Sequence, residues 1–208
     1  FPDWRRYFRS TRAHNTIEVD GKDQSTLLGP FLWGERANAR CVTWAPTGDG
    51  GSVTGEHDGY RSLPSPLLHR RTVSLDGRAG VVTVRDELES TGPHDIALHF
   101  HIAPGVFAEL TSSSSCRLAL PHGRVTLELD AAFALELVGP SDGPGLGWAS
   151  AGYHPRTPTR TLVARARTSG NATFQTRIGV QPAAEAADGR PHAARPPASV
   201  PTNPTAVS

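Results

Sequence analysis

The stretch DIALHFHI, residues 95–102, decides the fold class of this chain. Its large apolar residues stand at every second position, with charged, small or imidazole side chains between them. A period of two is typical of a strand with one buried face and one more polar face. Further strand candidates, most of them bounded by Gly, Pro, Asp or Ser, lie at 16–19, 37–44, 52–57, 67–75, 80–88, 116–120, 125–129, 133–137, 160–168 and 172–180.

Turn residues separate these candidates. Asp20-Gly21, Asp76-Gly77 and His122-Gly123 each tolerate the positive φ that a tight hairpin turn requires. Many short strands joined by such turns predict an all-β fold, an antiparallel β-sandwich of two packed sheets from about residue 15 to 180. Little helix is expected, and no segment could supply the crossover helices of a parallel sheet.

Composition excludes several classes of protein. The 208 residues carry 21 Lys and Arg against 20 Asp and Glu, a formal net charge of +1, so we expect no nucleic-acid partner and no attraction to an acidic membrane. No apolar run approaches the roughly 18 residues of a membrane-spanning helix. Because the first residue is Phe1 and not Met, we expect the chain to be part of a longer protein, with any export signal upstream. Cys41 and Cys116 are expected to be buried free thiols.

The two ends of the chain differ from the strand-rich part. Residues 181–208 are rich in Pro and Ala and contain no aromatic residue, so they are predicted to form a disordered tail beyond a domain at 1–180. Residues 1–13 alternate aromatic side chains with arginines. They are too aromatic for a free linker, and we expect them to pack against something.

His14 is the first candidate for chemistry. It stands just before a predicted strand and a tight turn, at the rim of a sheet, where a side chain can be held rigidly and still meet a ligand. A histidine there could be a metal ligand, a general base or a hydrogen-bonded rim residue. His99 and His101 share one face of a strand and could bind one zinc ion, although a polar sheet face is the more ordinary interpretation.

The arginines near the N-terminus are candidates for binding anions. Arg5, Arg6, Arg9 and Arg12 could each hold a carboxylate or sulfate with two hydrogen bonds, or pair with Asp and Glu at the surface. Arg9 and Arg12 are the candidate substrate-binding residues. No Ser-His-Asp signature, Gly-rich phosphate loop or CxxC motif is present, so nucleophilic, nucleotide-dependent and thiol-redox chemistry have no support.

A longer pattern resembles a known family. The motif is YFRSTRAHNTIEVDGKDQS, residues 7–25, and it resembles the later part of the C-terminal β-sandwich of heparinase II/III-like polysaccharide lyases. Downstream segments agree with this resemblance over roughly residues 1 to 180: 31–33, 57–60, 69–71, 98–101 and 147–153.

The resemblance implies a bacterial enzyme that cleaves uronic-acid-containing polysaccharide by β-elimination. In the family, the catalytic Asn, His and Tyr come mostly from an upstream α/α-toroid, so the resemblance implies no catalytic residue in this chain. It also implies a divalent metal, often zinc, for which His14 matches one ligand and the other ligands lie upstream. An anionic polysaccharide and the toroid are the expected partners, and the expected location is the bacterial cell envelope, the periplasm or the exterior.

A different class of function fits the residues as well. The chain could be a non-catalytic carbohydrate-binding or scaffold module in which Trp33, Trp148 and Tyr153 stack on sugars. Aromatic residues near turns are more often part of a small core.

Overall fold

The computed structural model describes residues 2–152 and 154–183. Within them, the helices are α1 (Pro2–Arg9) and the 3-10 turn η1 (Thr11–Ala13). The strands are β1 (Ile17–Val19), β2 (Ala39–Thr47), β3 (Gly50–Tyr60), β4 (Leu67–Asp76), β5 (Val81–Ser90), β6 (His94–His101), β7 (Phe107–Ser112), β8 (Ser115–Leu120), β9 (Gly123–Leu129), β10 (Ala134–Val138), β11 (Trp148–Ala149), β12 (Thr157–Pro158), β13 (Thr161–Thr168) and β14 (Ala172–Pro182).

The strands form an antiparallel β-sandwich, as predicted. One sheet has four strands in the order β1-β6-β13-β10, and the other has eight in the order β2-β3-β4-β5-β14-β9-β8-β7. Strands β11 and β12 form a separate pair. Among the described residues, no helix is both long and apolar enough to cross a membrane.

The core lies between the two sheets and follows the alternation of the sequence. Ile96, Leu98 and Phe100 of β6 belong to it, and Leu98 is fully buried. Leu162 of β13 is also fully buried in the same cluster. Because a strand turns successive side chains to opposite faces, the residues between them point away from this core.

The other face of the four-stranded sheet is also covered. Ala97 and His99 lie on that face, yet His99 is only 1% exposed. The N-terminal segment lies against this side of the sheet, since the imidazole of His101 hydrogen-bonds the carbonyl of Arg12 in η1. The described part of this segment, residues 2–13, therefore packs on the sandwich itself, which sequence reasoning left open.

Helix α1 was not predicted, although its sequence carries the signal. Trp4, Tyr7 and Phe8 have the i, i+3, i+4 spacing of one helix face. The helix is eight residues long, too short for a periodicity test. Tyr7 is buried, and the ring of Trp4 meets that of Trp148 edge to face with centroids 5.4 Å apart.

Strand β7 was not predicted because the burial of its side chains does not follow their hydrophobicity. The small Ala108 is buried in it, whereas Phe107 and Leu110 are exposed. Strands β11 and β12 have two residues each, which is too short for a sequence pattern to detect.

The cysteine prediction is half wrong. Both cysteines are free and Cys116 is buried, but Cys41 is exposed. Cys41 lies on β2, an edge strand of the eight-stranded sheet whose nine residues are all exposed.

The predicted tail begins inside the last strand. Strand β14 continues to Pro182, two residues past the predicted end of the domain. Residues 184–208, which make up the rest of the predicted tail, lie outside the described residues.

Candidate functional site

A cleft of about 890 Å³ opens beside the N-terminal helix. Helix α1, the residues around His14, the loop at Pro30-Phe31 and the segment between β11 and β12 form its walls. No Asp or Glu of the described residues lines it. The lining residues are Trp4, Arg5, Phe8, Arg9, Ala13, His14, Pro30, Phe31, His101, Trp148, Ala149, Ser150, Ala151, Gly152, His154 and Arg156.

His14 lies outside the core, at the mouth of this cleft. It follows η1 directly, its side chain is exposed, and its Nδ1–H donates to the carbonyl oxygen of Ser10 at 2.8 Å. A carbonyl only accepts, so this bond places the proton of the neutral ring on Nδ1. The lone pair of Nε2 is then left for a proton or a metal.

His101 lines the cleft in a fixed orientation. Its Nε2–H donates to the Arg12 carbonyl at 3.0 Å, and its Nδ1 accepts from the hydroxyl of Thr161 at 3.2 Å. Burial lowers the pKa of His101, so its neutral form is favoured near pH 7. Because both ring nitrogens are engaged, His101 has no lone pair left for a metal.

The paired histidines His99 and His101 do not form a zinc site. Their rings lie roughly parallel with centroids 6.4 Å apart, and the Nε2–H of His99 donates to the Glu18 carboxylate at 3.1 Å. Among residues 2–152 and 154–183, no group of three or more His, Cys, Asp or Glu could hold a metal. The polar-face interpretation of this pair is therefore the better one.

Three arginines of the cleft lie over aromatic rings. The guanidinium carbon of Arg9 is 4.1 Å from the ring centroid of Trp33, that of Arg5 is 4.6 Å from Phe31, and that of Arg156 is 4.6 Å from Trp4. Such contacts hold the cations without neutralising them.

None of these three guanidinium groups pairs with a carboxylate of the described residues. Arg5 and Arg9 both donate to the carbonyl oxygen of Pro30, at 2.8 and 2.6 Å. Backbone carbonyls carry no net charge, so the positive charge of the cleft is left for an anion.

The two predicted substrate-binding arginines have different positions. Arg9 lines the cleft. Arg12 lies outside it and donates from Nη2 to the buried Glu18 carboxylate at 2.7 Å. Burial would raise the pKa of Glu18, but the hydrogen bonds from His99 and Arg12 outweigh it and lower that pKa. Arg12 therefore forms an internal ion pair, although 48% of its side chain is exposed.

Sequence reasoning missed part of this cleft. Arg5 and Arg9 are four residues apart, so a helix at 2–9 would have placed them side by side. Nothing in the sequence linked Arg156 to Trp4, which are far apart along the chain and meet only through packing.

A buried polar network lies behind the His14 loop and was also missed. His57 Nε2–H donates to His69 Nδ1 at 3.0 Å, and His69 Nε2–H donates to Asp86 at 2.7 Å. Arg71 donates to both oxygens of the same carboxylate, at 2.6 and 3.0 Å. Burial alone would raise the pKa of Asp86, but the hydrogen bonds from His69 and Arg71 lower it.

The position of His57 in this network predicts that the folded protein loses stability in mild acid. Burial, together with the neighbouring His69, lowers the pKa of His57 from 6.5 to about 4. The unfolded chain therefore takes up a proton at His57 before the folded protein does, and stability falls as the pH drops from 6.5 to 4. The free energy of unfolding should fall by about 2 to 3 kcal/mol from this residue over that window.

Urea unfolding of His57→Gln at pH 7, 5 and 4 measures this contribution. The variant should show a shallower pH dependence than the wild type, whereas the exposed His122→Gln should not. Equal slopes in wild type and His57→Gln would contradict the assignment.

Comparison with known structures supports the fold. The heparan sulfate lyase HepC from Pedobacter heparinus matches with a TM-score of 0.66 and 15% identity over 87% of this chain and 26% of its own. A heparinase III, the BT4657 gene product, matches with a TM-score of 0.65 and 18% identity over 88% of this chain and 26% of its own. The chain thus spans about a quarter of the length of these proteins.

Sequence comparison gives the family. No curated protein has a significantly similar sequence. The family described as heparinase II/III-like, C-terminal, matches residues 2–181, which is nearly the whole described part of the chain. This protein therefore belongs to the C-terminal domain family of the heparinase II/III-like lyases.

Proposed function

We propose that this chain is the C-terminal β-sandwich part of a polysaccharide lyase that cleaves uronic-acid-containing polysaccharide by β-elimination. The observation that carries the proposal is the cleft, which holds three arginines on aromatic rings and no acidic side chain of the described residues. The family supports the reaction class, since the similar structures are a heparinase III and a heparan sulfate lyase.

The reaction makes three demands on its site. The uronate carboxylate must be neutralised, the C5 proton removed, and the departing O4 protonated. The cleft arginines can neutralise the carboxylate, because a guanidinium can donate two parallel hydrogen bonds to a carboxylate or sulfate. We propose that the acid and base come from an upstream α/α-toroid in a longer chain.

Aromatic side chains suit the sugar rings of such a polymer. Trp4 and Trp148 both line the cleft. The ring of Trp4 already lies under Arg156, so Trp148 is the better candidate to pack on the apolar side of a pyranose while the arginines bind its anionic groups. The same lining also supports the second candidate function, a non-catalytic carbohydrate-binding module. Trp33 supports it less, since its ring lies under Arg9, and Tyr153 is outside the described residues.

We propose that His14 is one ligand of a divalent metal, zinc being the first candidate. A metal-binding histidine usually donates its other ring N–H to a carbonyl or carboxylate, and His14 Nδ1–H donates to Ser10. The described residues supply this single ligand and do not complete a site. Further ligands would have to come from outside them, and a complete site would hold a positive charge near the cleft.

Metal analysis of the longer protein tests the His14 assignment. His14→Ala should reduce bound zinc severalfold, whereas His122→Ala in an exposed turn should not. Equal zinc in the His14 variant and the wild type would contradict the proposal.

We infer a location in the bacterial cell envelope, the periplasm or the exterior. A polymer of charged sugars does not cross a membrane, so an enzyme that cuts it must meet it outside the cytoplasm. Cell fractionation of the native host tests this inference, and a purely cytoplasmic protein would contradict it.

Binding of a heparan sulfate octasaccharide tests the cleft. Each of Arg5→Gln, Arg9→Gln and Arg156→Gln should weaken binding about tenfold, the loss expected for one charge-assisted hydrogen-bond pair. Tryptophan fluorescence reports the affinity because Trp4 and Trp148 line the cleft.

Arg78→Gln is the matched control, since Arg78 is 83% exposed and pairs with Asp49. Unchanged affinity in all three cleft variants would overturn the assignment. Binding by the longer protein without any unsaturated product would favour the non-catalytic module.

A further inference from the structure

Arg71 joins the two sheets of the sandwich at the back of the His14 loop. It lies on β4 of the eight-stranded sheet, and its Nη1 donates to the carbonyl oxygen of Asn15 at 2.6 Å. Asn15 lies in the segment that leads into β1 of the four-stranded sheet. The contact therefore connects the larger sheet to the loop that carries His14.

The guanidinium of Arg71 is itself held rigidly. Its Nε and Nη2 donate to the two oxygens of Asp86, whose side chain is 1% exposed. Asp86 is fixed in turn by His69, and His69 by His57. Three strands, β3, β4 and β5, thus contribute to one buried network that ends at the Asn15 carbonyl.

Asn15 connects this network to two residues that line the cleft. It follows His14 directly in the chain, and its side-chain oxygen accepts from the backbone N–H of His101 at 2.8 Å. His14 and His101 both line the cleft, whereas Arg71 does not. A displacement of Asn15 would move the backbone of both histidines.

We infer that Arg71 is a positioning residue that fixes the part of the cleft wall formed by His14 and His101, against which the ligand binds. The inference rests on the proposed function, because it assumes that the cleft is the binding site. Side chains that orient binding residues from behind typically contribute 10- to 100-fold, about the scale expected here. Only an arginine fits, since a lysine ammonium cannot reach two carboxylate oxygens and a carbonyl in one plane.

Paired substitutions separate positioning from stability. Arg71→Lys keeps a charge beside Asp86 and should retain most of the stability, yet it should weaken binding of the heparan sulfate octasaccharide about tenfold. Arg71→Gln should lose both stability and affinity. Arg70→Gln is the control, because Arg70 is the neighbour on the same strand and pairs instead with Glu56 and Glu89; its affinity should equal that of the wild type.

A double-mutant cycle provides a result that a purely structural role would not give. In a His14→Ala background, Arg71→Lys should cause a clearly smaller further loss of affinity than in the wild type. Full additivity, or wild-type affinity in Arg71→Lys, would overturn the inference.

Two further variants keep the outcomes distinct. If the Arg71 variants do not fold, the exposed Asn15→Ala removes the link to His101 and should weaken binding about threefold; no loss there would overturn the inference. If Arg5→Gln, Arg9→Gln and Arg156→Gln all leave binding unchanged, the proposed function itself is wrong. If Arg156→Gln weakens binding and Arg71→Lys does not, only the positioning role is wrong.

Discussion

Asp86→Ala should destabilise the protein by about 3 to 5 kcal/mol, the loss expected when one partner of a buried ion pair is removed. The carboxylate is 1% exposed and accepts hydrogen bonds from Arg71 and His69. Without it, the imidazole, which is 3% exposed, and the guanidinium of Arg71, whose side chain is 21% exposed, would lose their common acceptor. Urea unfolding at pH 7 measures the change in the free energy of unfolding.

Glu89→Ala is the matched control on the same strand. Glu89 is 54% exposed and forms one ion pair with Arg70 at 3.2 Å, so its removal should cost less than about 1 kcal/mol. The loss of stability in Asp86→Asn should fall between those of Asp86→Ala and Glu89→Ala, because asparagine keeps the size and one acceptor oxygen but loses the charge. A loss below about 1 kcal/mol for Asp86→Ala would show that the network contributes little to stability.

The purified 208-residue chain should release no unsaturated uronic ends from heparan sulfate or alginate. Elimination needs a proton acceptor within about 3 Å of C5 and a donor at the leaving oxygen, both around one bound sugar. Two of the cleft histidines have other roles: His101 has both ring nitrogens engaged in hydrogen bonds, and we propose His14 for metal binding. Ultraviolet absorbance of the products follows the reaction.

The longer protein that we propose is the control for this experiment. It should give a steady rise in absorbance under the same conditions. Product from the short chain would show that the cleft itself holds the acid and base. In that case His14→Ala, His101→Ala and His154→Ala would identify the group responsible.

Much of the fold could be predicted because its strands are half-buried. In β6, the alternation of Ile96, Leu98 and Phe100 with polar neighbours matches the observed core. The turn at Asp20-Gly21 was also predicted, and both residues have positive φ, 51° and 64°. The same reasoning failed at β7, where an exposed Phe107 and a buried Ala108 reverse the usual order.

The site could be predicted only in part. His14 was a candidate from its position at a sheet rim and from the resemblance, and Arg9 was a candidate as one of the N-terminal arginines; both line the cleft. Arg156 and Trp148 were not placed beside them, because nothing in their own neighbourhood indicates a partner in α1. The network around Asp86 was missed for a related reason: a period of two places alternate side chains of β5 on opposite faces, but it does not say what each face meets.

The sequence by itself determined the class of fold, the core face of strands such as β6 and the family, since these depend on local periodicity and on an ordered motif. The tertiary structure decided which polar groups meet. The ring of Trp4 in helix α1 packs against Trp148 of the separate β11–β12 pair and lies under Arg156. The tertiary structure also decided that Arg12 bonds to Glu18 while Arg9 remains in the cleft. Such choices depend on distances between segments that are far apart along the chain, and local propensity contains no information about them.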